Sequence, residues 1–186
     1  MTTAIASRAA TTTWNVDPAH SSVEFKAKHM MISNVKGTFS GLSGILIEHT
    51  VDSSLSTVEA SVDAGTVNTN DTQRDGHLKS ADFFDVEKFP KLNFKSTAVA
   101  KKSEAKYEVK GNLTIHGVTK PVTFAVEGPS APGKDPWGNV RIGLSATAKI
   151  HRKDFGMVWN AALEAGGFLV GDEVAITLDV QFIKAV

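Results

Sequence analysis

The chain is 186 residues long and its twenty basic and twenty acidic side chains cancel. With no run of Lys or Arg, an electrostatic grip on nucleic acid or on an anionic membrane is not signalled. There is no cysteine, which excludes disulfides, thiolate metal sites and cysteine nucleophiles. No apolar run approaches the roughly 20 residues of a membrane helix, and the length suits one domain.

The opening stretch, MTTAIASRAATTTWNV, has one arginine and no continuous apolar segment of the length a signal peptide needs. Residues 1–12 therefore read as a flexible leader on a cytoplasmic protein, and residues 13–186 as a single domain. From "TWNVD" onward the dominant hydrophobic period is two, the period of a half-buried strand. In "VEFKAKH" Val23, Phe25 and Ala27 oppose Glu24, Lys26 and Lys28. "VKGTFSGLSGILIE" and "LSTVEASVDA" follow as further strands.

Then the pattern breaks. "NDTQRDGHLKS" offers Asn70 as an N-cap, Gln73 three residues on and Leu78 as an apolar contact, which predicts a short helix over about residues 70–80. Gly76 weakens it by about 1 kcal/mol relative to alanine. The helix runs into a cluster of Phe83, Phe84, Phe89, Leu92 and Phe94, side chains that either plug a core or line a place for a ligand.

Alternation resumes in "KLNFKSTAVA", in "YEVKGNLTIHG" (Tyr107, Val109, Leu113 and Ile115 on one face) and in "VTFAVEG". It continues through "VRIGLSATAKI", including Ile142 and Leu144, and ends in "VAITLDVQFIK". The segment between, "HRKDFGMVWNAALEAGGFLVGDE", is too long for a hairpin and has the length of a lid or binding loop. Its Phe155, Met157, Trp159, Leu163 and Phe168 need burial.

The chain is thus all-β, with eight or nine strands joined by short, turn-like links that favour antiparallel pairing. Strands of about ten residues extend about 30 Å, and eight of them either close into a barrel or split into a sandwich. An eight-stranded barrel is filled by its own side chains or holds one small ligand. Small residues on the inner faces (Ala27, Gly37, Gly41, Gly111, Ala146, Ala148) favour an unfilled, apolar tunnel. A bulge around Ser96 or Gly41 would shift the inward set.

Chemistry-bearing motifs are sparse. The six histidines show no HxH or HExxH spacing, so no metal site is expected, and there is no GxSxG nucleophile elbow. His116 precedes Gly117 in a hairpin turn. Arg74, Asp75 and His77 share the short helix, as an acid–base group or as an ordinary ion-paired face. Arg152 and Lys153 end a long strand, where they suit a pyrophosphate-like head or a solvated turn neutralised by Asp154.

Five blocks, "TWNVDPAHSSVEFKAKHM", "NTNDTQRDGHLKSADFFDVEKFPKLNFKS", "GNLTIHGVTKPVTF", "DPWGNVRIGLSATAKIHRKDFGMVWN" and "GDEVAITLDVQF", resemble the YceI-like, polyisoprenoid-binding family from Trp14 to Phe182. The resemblance implies an extended, antiparallel, eight-stranded lipocalin-like barrel with a short capping helix, holding a long isoprenoid or quinone-type chain. Many members carry a secretion signal, unlike the opening stretch here. The family supplies no catalytic residue set.

Alternation assigns Phe25, Ala27, Phe39, Leu92, Phe94, Ile142 and Leu144 to the tunnel wall. Leu78, Phe83, Phe84, Met157, Trp159 and Phe168 are assigned to the lid or mouth, and Arg74, His77, Arg152 and Lys153 to a polar head group. The expected protein is a non-catalytic carrier or store of an isoprenoid lipid, needing no cofactor. Two rivals stay open: an enzyme using His77, Asp75 or His151 as acid or base in the same pocket, and an interaction module with a filled barrel. A homodimer fits all three.

Overall fold

The computed structural model describes residues 11–164 and 166–186. Residues 1–10 of the expected leader lie outside the described residues. Thr11 and Thr12 do not belong to a leader, because they already pair with His49 and Glu48.

The strands are β1 (Thr11–Val16), β2 (Ser22–His29), β3 (Ser33–Phe39), β4 (Ser43–His49), β5 (Thr57–Asp63), β6 (Lys91–Ser103) and β7 (Lys106–Ile115). They continue as β8 (Val118–Glu127), β9 (Gly133–Lys134), β10 (Val140–His151) and β11 (Val170–Lys184), and one helix, α1 (Thr72–Lys79), interrupts them. Every neighbouring pair is antiparallel, and the pairing of β10 with β11 closes the sheet.

These strands occupy eight positions around a closed barrel. β2 and then β1 pair with successive stretches of one edge of β11, so together they form one broken strand. β3 and β4 form another, pairing in turn with β2 and β1. The expected single strand "VKGTFSGLSGILIE" is split because Gly41 takes φ +73°, a conformation that costs other residues, and Leu42 is buried just beyond it.

The other break, at residues 17–21, is held by polar contacts. Asp17 caps a short 3-10 turn through Ala19 N at 3.0 Å, and Pro18 within that turn has no amide to continue a ladder. The Asp17 carboxylate also meets His20 Nδ1 at 2.8 Å and accepts from Arg141 Nη1. Arg141 Nε donates to Asp135 Oδ2 at 2.7 Å. One guanidinium therefore joins the β1–β2 break to the start of β10.

Unlike β4, β3 does not pair with β5; an isolated bridge between Thr38 and Asn68 ties it to the segment that follows β5. α1 comes after that segment. Its cap is one residue later than expected: the Asp71 side chain accepts from Arg74 N at 3.0 Å, while Asn70 sits at φ +60° and leads the chain in. A carboxylate at the N-cap also complements the helix dipole, an advantage the neutral Asn70 lacks.

Inward faces follow the alternation except where a bulge shifts it. A bulge between Ser96 and Ala98 on β6 moves the inward set from Leu92 and Phe94 to Val99. Two of the glycines read as empty volume are covered instead. A Cβ at Gly37 would lie 2.3 Å from the Phe25 ring, and one at Gly111 2.4 Å from the Phe94 ring. Each ring occupies the space above a glycine on the adjacent strand.

Arg141 and its neighbours lower the Asp17 pKa from 3.8 to about 2, so the stabilisation from this carboxylate is complete above pH 4 and lost as pH falls through 2. Asp17→Asn keeps a capping oxygen but removes the charge. Its urea midpoint should lie below that of the parent at pH 7, with the gap narrowing below about pH 4 and closing near pH 2.

Candidate ligand tunnel

Two chambers lie in line inside the barrel. The one nearer the β4–β5 connection has a volume of about 170 Å³ and is walled by Leu46, Val58, Val99, Val109, Leu144 and Val180, among others. The one nearer α1 has about 130 Å³, with Phe39, Val62, Phe84, Leu92, Met157 and Ile176 in its wall. Leu42, Ala60, Phe94, Phe124 and Leu178 belong to both walls and mark the waist between them. There the rings of Phe94 and Phe124 meet edge to face at 5.1 Å.

An apolar cavity of about 150 Å³ stays dry and accommodates a benzene-sized molecule. Two such spaces placed end to end across a waist of aromatic rings have the elongated shape of a chain of methylene and methyl groups rather than of a compact body. The chambers end differently. Glu48, Ser53, Ser56 and Pro129 border the upper one, with Glu48 Oε2 accepting from the buried Trp14 Nε1 at 2.8 Å. At the α1 end Phe84 stacks edge-on against Phe39, with centroids 5.5 Å apart.

Beyond Phe25, which borders the lower chamber, lies an outer pocket of about 400 Å³. Ala27, Val35, Leu78, Phe83 and Trp159 form its apolar side, and Lys28, His29, Gln73, Arg74 and His77 its polar side. His77 is fixed between two rings, 5.1 Å from Phe83 and 4.6 Å from Trp159, and its Nε2 meets Asp82 at 2.9 Å. Arg74 binds the loop before its own helix, through Nε to Thr69 Oγ1 at 2.7 Å and Nη2 to Thr69 O at 2.9 Å.

Of the residues assigned to the tunnel wall, Phe39, Leu92, Phe94 and Leu144 face the chambers and Phe25 stands at the junction. Ala27 lines the outer pocket instead. Ile142 lines neither chamber; it belongs to the buried cluster with Trp14 and Phe182 near the start of β10. Among the assigned lid residues, Phe84 and Met157 face the lower chamber, whereas Leu78, Phe83 and Trp159 face the outer pocket. Phe168 covers nothing: it is 56% exposed, with Lys153 Nζ 5.8 Å above its ring.

The largest correction concerns Arg152. It is 3% exposed, and its guanidinium donates to the carbonyls of Met157 (2.6 Å), Trp159 (2.8 Å), Gly171 (2.9 Å) and Val170 (3.3 Å). Burial pushes its pKa below the ordinary arginine value, an effect that the charge of Asp172 opposes. A side chain so engaged fastens both ends of the long loop, with four of its five N–H groups directed at backbone carbonyls. Lys153 lies outside both chambers and the outer pocket.

The acid–base candidates do not converge. Asp75 accepts from Thr69 N and Oγ1 at 2.8 and 2.6 Å, His77 meets Asp82, and His151 meets Asp172 at 3.3 Å. Among the described residues no three His, Asp or Glu side chains gather as a metal would require. Sequence reasoning missed Gln73, Lys28 and His29. His29 continues the face of Phe25 and Ala27, so alternation carried a signal for it, whereas Lys28 lies on the polar face of β2 and reaches the pocket only at the strand end beside α1.

A closed antiparallel barrel of eight strands with two apolar chambers in line is a lipocalin-like barrel. The chain belongs to the YceI-like family, whose domain profile matches residues 14–182. It is similar to a UPF0312 protein of Vibrio cholerae, 40% identical over 139 residues that span 75% of this chain and 73% of that protein. A UPF0312 protein of Staphylococcus aureus is 36% identical over 171 residues, 92% of this chain and 97% of the relative.

Among solved structures, Burkholderia cenocepacia BcnA matches with a TM-score of 0.77 at 24% identity, over 89% of this chain and 98% of that one. The Campylobacter jejuni YceI protein matches with 0.71 at 28% identity, over 86% and 90%. A polyisoprenoid-binding domain from Saccharophagus degradans shares the fold with a TM-score of 0.64 at 16% identity, over 96% and 100%.

Replacing Arg152 with methionine should leave four carbonyls without their donor and lower stability by on the order of 3 kcal/mol. Arg152→Lys should fail to restore it, since one ammonium cannot span carbonyls on both arms of the loop. Urea unfolding measures the loss, and limited proteolysis should show earlier cleavage in the loop between Met157 and Gly171.

Proposed function

We propose that this protein binds one long-chain amphiphile, an isoprenoid or quinone-type lipid, with its tail threaded through the two chambers, and stores or carries it without chemical conversion. The observation that carries this reading is the predominantly apolar wall that the chambers share through Phe94, Phe124 and Leu178. Further support comes from the polyisoprenoid-binding domain of the same fold.

Removal of the tail from water drives binding at about 25 cal/mol per Å². About 300 Å² of tail then contributes on the order of 7 kcal/mol before the costs of ordering it. The outer pocket suits the head group. Gln73, Lys28 and His29 border it, and Arg74 keeps Nη1 at a loose 3.7 Å from Asp71. An enzyme is less well supported, because Asp75, His77 and His151 are each tied to a different partner.

Leu144→Trp tests the reading, because an indole there fills the upper chamber and leaves the lower one open. Binding of a long prenyl lipid, followed by native mass spectrometry, should weaken at least about tenfold, while a short prenyl chain should bind as before. A folded variant that holds the long chain as tightly as the parent would show that the tail lies elsewhere.

A further inference from the structure

The β2–β3 hairpin ends in Met30, Met31 and Ile32, three consecutive apolar side chains directed at water. Ile32 is 79% exposed and Met31 61%. Beside them stands the exposed Phe168, and Met30 N donates to the carbonyl of the next residue, Leu169, at 2.8 Å. The tip and the end of the long loop thus form one protruding apolar edge. Isolated exposed hydrophobes are ordinary on a protein surface, whereas a contiguous group on a protrusion marks an interaction site.

The backbone beneath them is strained. Met30 and Met31 have φ of +50° and +61°, and Ile32 N closes the turn onto His29 O at 3.0 Å. Turns with two successive positive φ values favour Asn and Gly, and a methionine at either position is disfavoured by its Cβ. A folding requirement alone would place Asn-Gly there. Strain kept at an exposed turn is strain kept for the side chains it presents.

Positive charge stands behind this edge. Some lysines of the barrel face carboxylates, such as Lys95 with Glu59 and Lys149 with Glu173, and others, such as Lys110 and Lys120, do not among the described residues. Lys26, Lys28 and Lys36 make no such ion pair among the described residues, and Lys26 lies directly opposite Lys36 in the ladder. Two like charges in register oppose pairing. Lysine on an edge strand such as β3 guards against aggregation, but β2 is flanked by β3 and β11 and has no free edge to guard. Net neutrality of the chain conceals this local excess of positive charge.

We propose that the β2–β3 tip is a membrane-docking element, in which Met31, Ile32 and Phe168 enter the interface of an anionic bilayer and Lys26 and Lys36 meet its phosphates. The lysine pair lies about 10 Å behind the turn, within reach of headgroups when the tip is immersed. Docking sets the outer pocket against the bilayer, because Lys28, His29 and Leu169 at the base of the tip also line that pocket. A prenyl lipid then passes from bilayer to outer pocket and past Phe25 into the tunnel. That route rests on the tunnel reading; the docking itself does not.

The test uses the full chain and vesicles of phosphatidylcholine, with or without about one third phosphatidylglycerol. Co-sedimentation should occur with the anionic vesicles, weaken as salt is raised, and fall at least about fivefold for Ile32→Asp and for Lys26→Glu with Lys36→Glu. Met30→Asn with Met31→Gly should raise the melting temperature by about 4 °C and still reduce vesicle binding, which separates a functional tip from a structural one. Equal binding to both vesicle types, or binding unmoved by these variants, overturns the proposal. So does a concentration-dependent dimer that Ile32→Asp abolishes, since the patch then serves a second copy of the chain. Prenyl-lipid uptake from detergent reports on the tunnel alone. Uptake from detergent retained by the tip variants supports separate roles, and tip-dependent vesicle binding without any such uptake leaves docking standing and removes the tunnel reading.

Discussion

The structure depends on the backbone pairing of β11. One of its edges pairs with β10 from Arg141↔Ile183 to His151↔Glu173, while the other takes β2 and then β1. β10 in turn pairs with β8 and β9 besides β11, and without the β10–β11 ladder the sheet would not close. Closure eliminates most free edges and leaves the apolar faces of eight strand positions with only one another, or a ligand, to contact. The Asp17–Arg141–Asp135 group reinforces this closure from the side, since it ties the break between the two strands on one edge of β11 to the strand on the other.

The two breaks explain why an apolar interior remains partly empty. A continuous β3–β4 strand would lie along β5 over its whole length and draw the wall together. Gly41 bends it instead, so that only β4 follows β5 and the α1 end opens. The aromatic cluster after α1 divides its work across that opening. Phe84, Leu92 and Phe94 face the chambers, Phe83 backs the outer pocket, and Phe89 packs on His116 with centroids 5.2 Å apart. The cluster is therefore partly chamber wall and partly core packing.

Charged residues near the site have mostly structural partners. Arg152 is held by four carbonyls, Arg74 by Thr69, and His77 by Asp82 and two rings. The long loop is therefore fastened to the barrel at its base through Arg152 and through Asn160, whose side chain bonds both N and O of Val170 at 3.0 and 2.7 Å.

Strand content, antiparallel order, the position of the helix and most inward-facing residues were legible in the sequence. Side-chain alternation is a local consequence of the pleat, and each strand carries its own record of it. Phe39, Leu92, Phe94 and Leu144 could be placed on the wall for that reason. Three matters were decided only by tertiary structure: which glycine gaps a neighbouring ring fills, as at Gly37 and Gly111, which cations are engaged, as at Arg152, and which polar residues a helix packed nearby brings to a pocket, as at Lys28 and Gln73. Each depends on residues far apart in the chain meeting across a ladder or a loop, and local periodicity contains no information about such meetings.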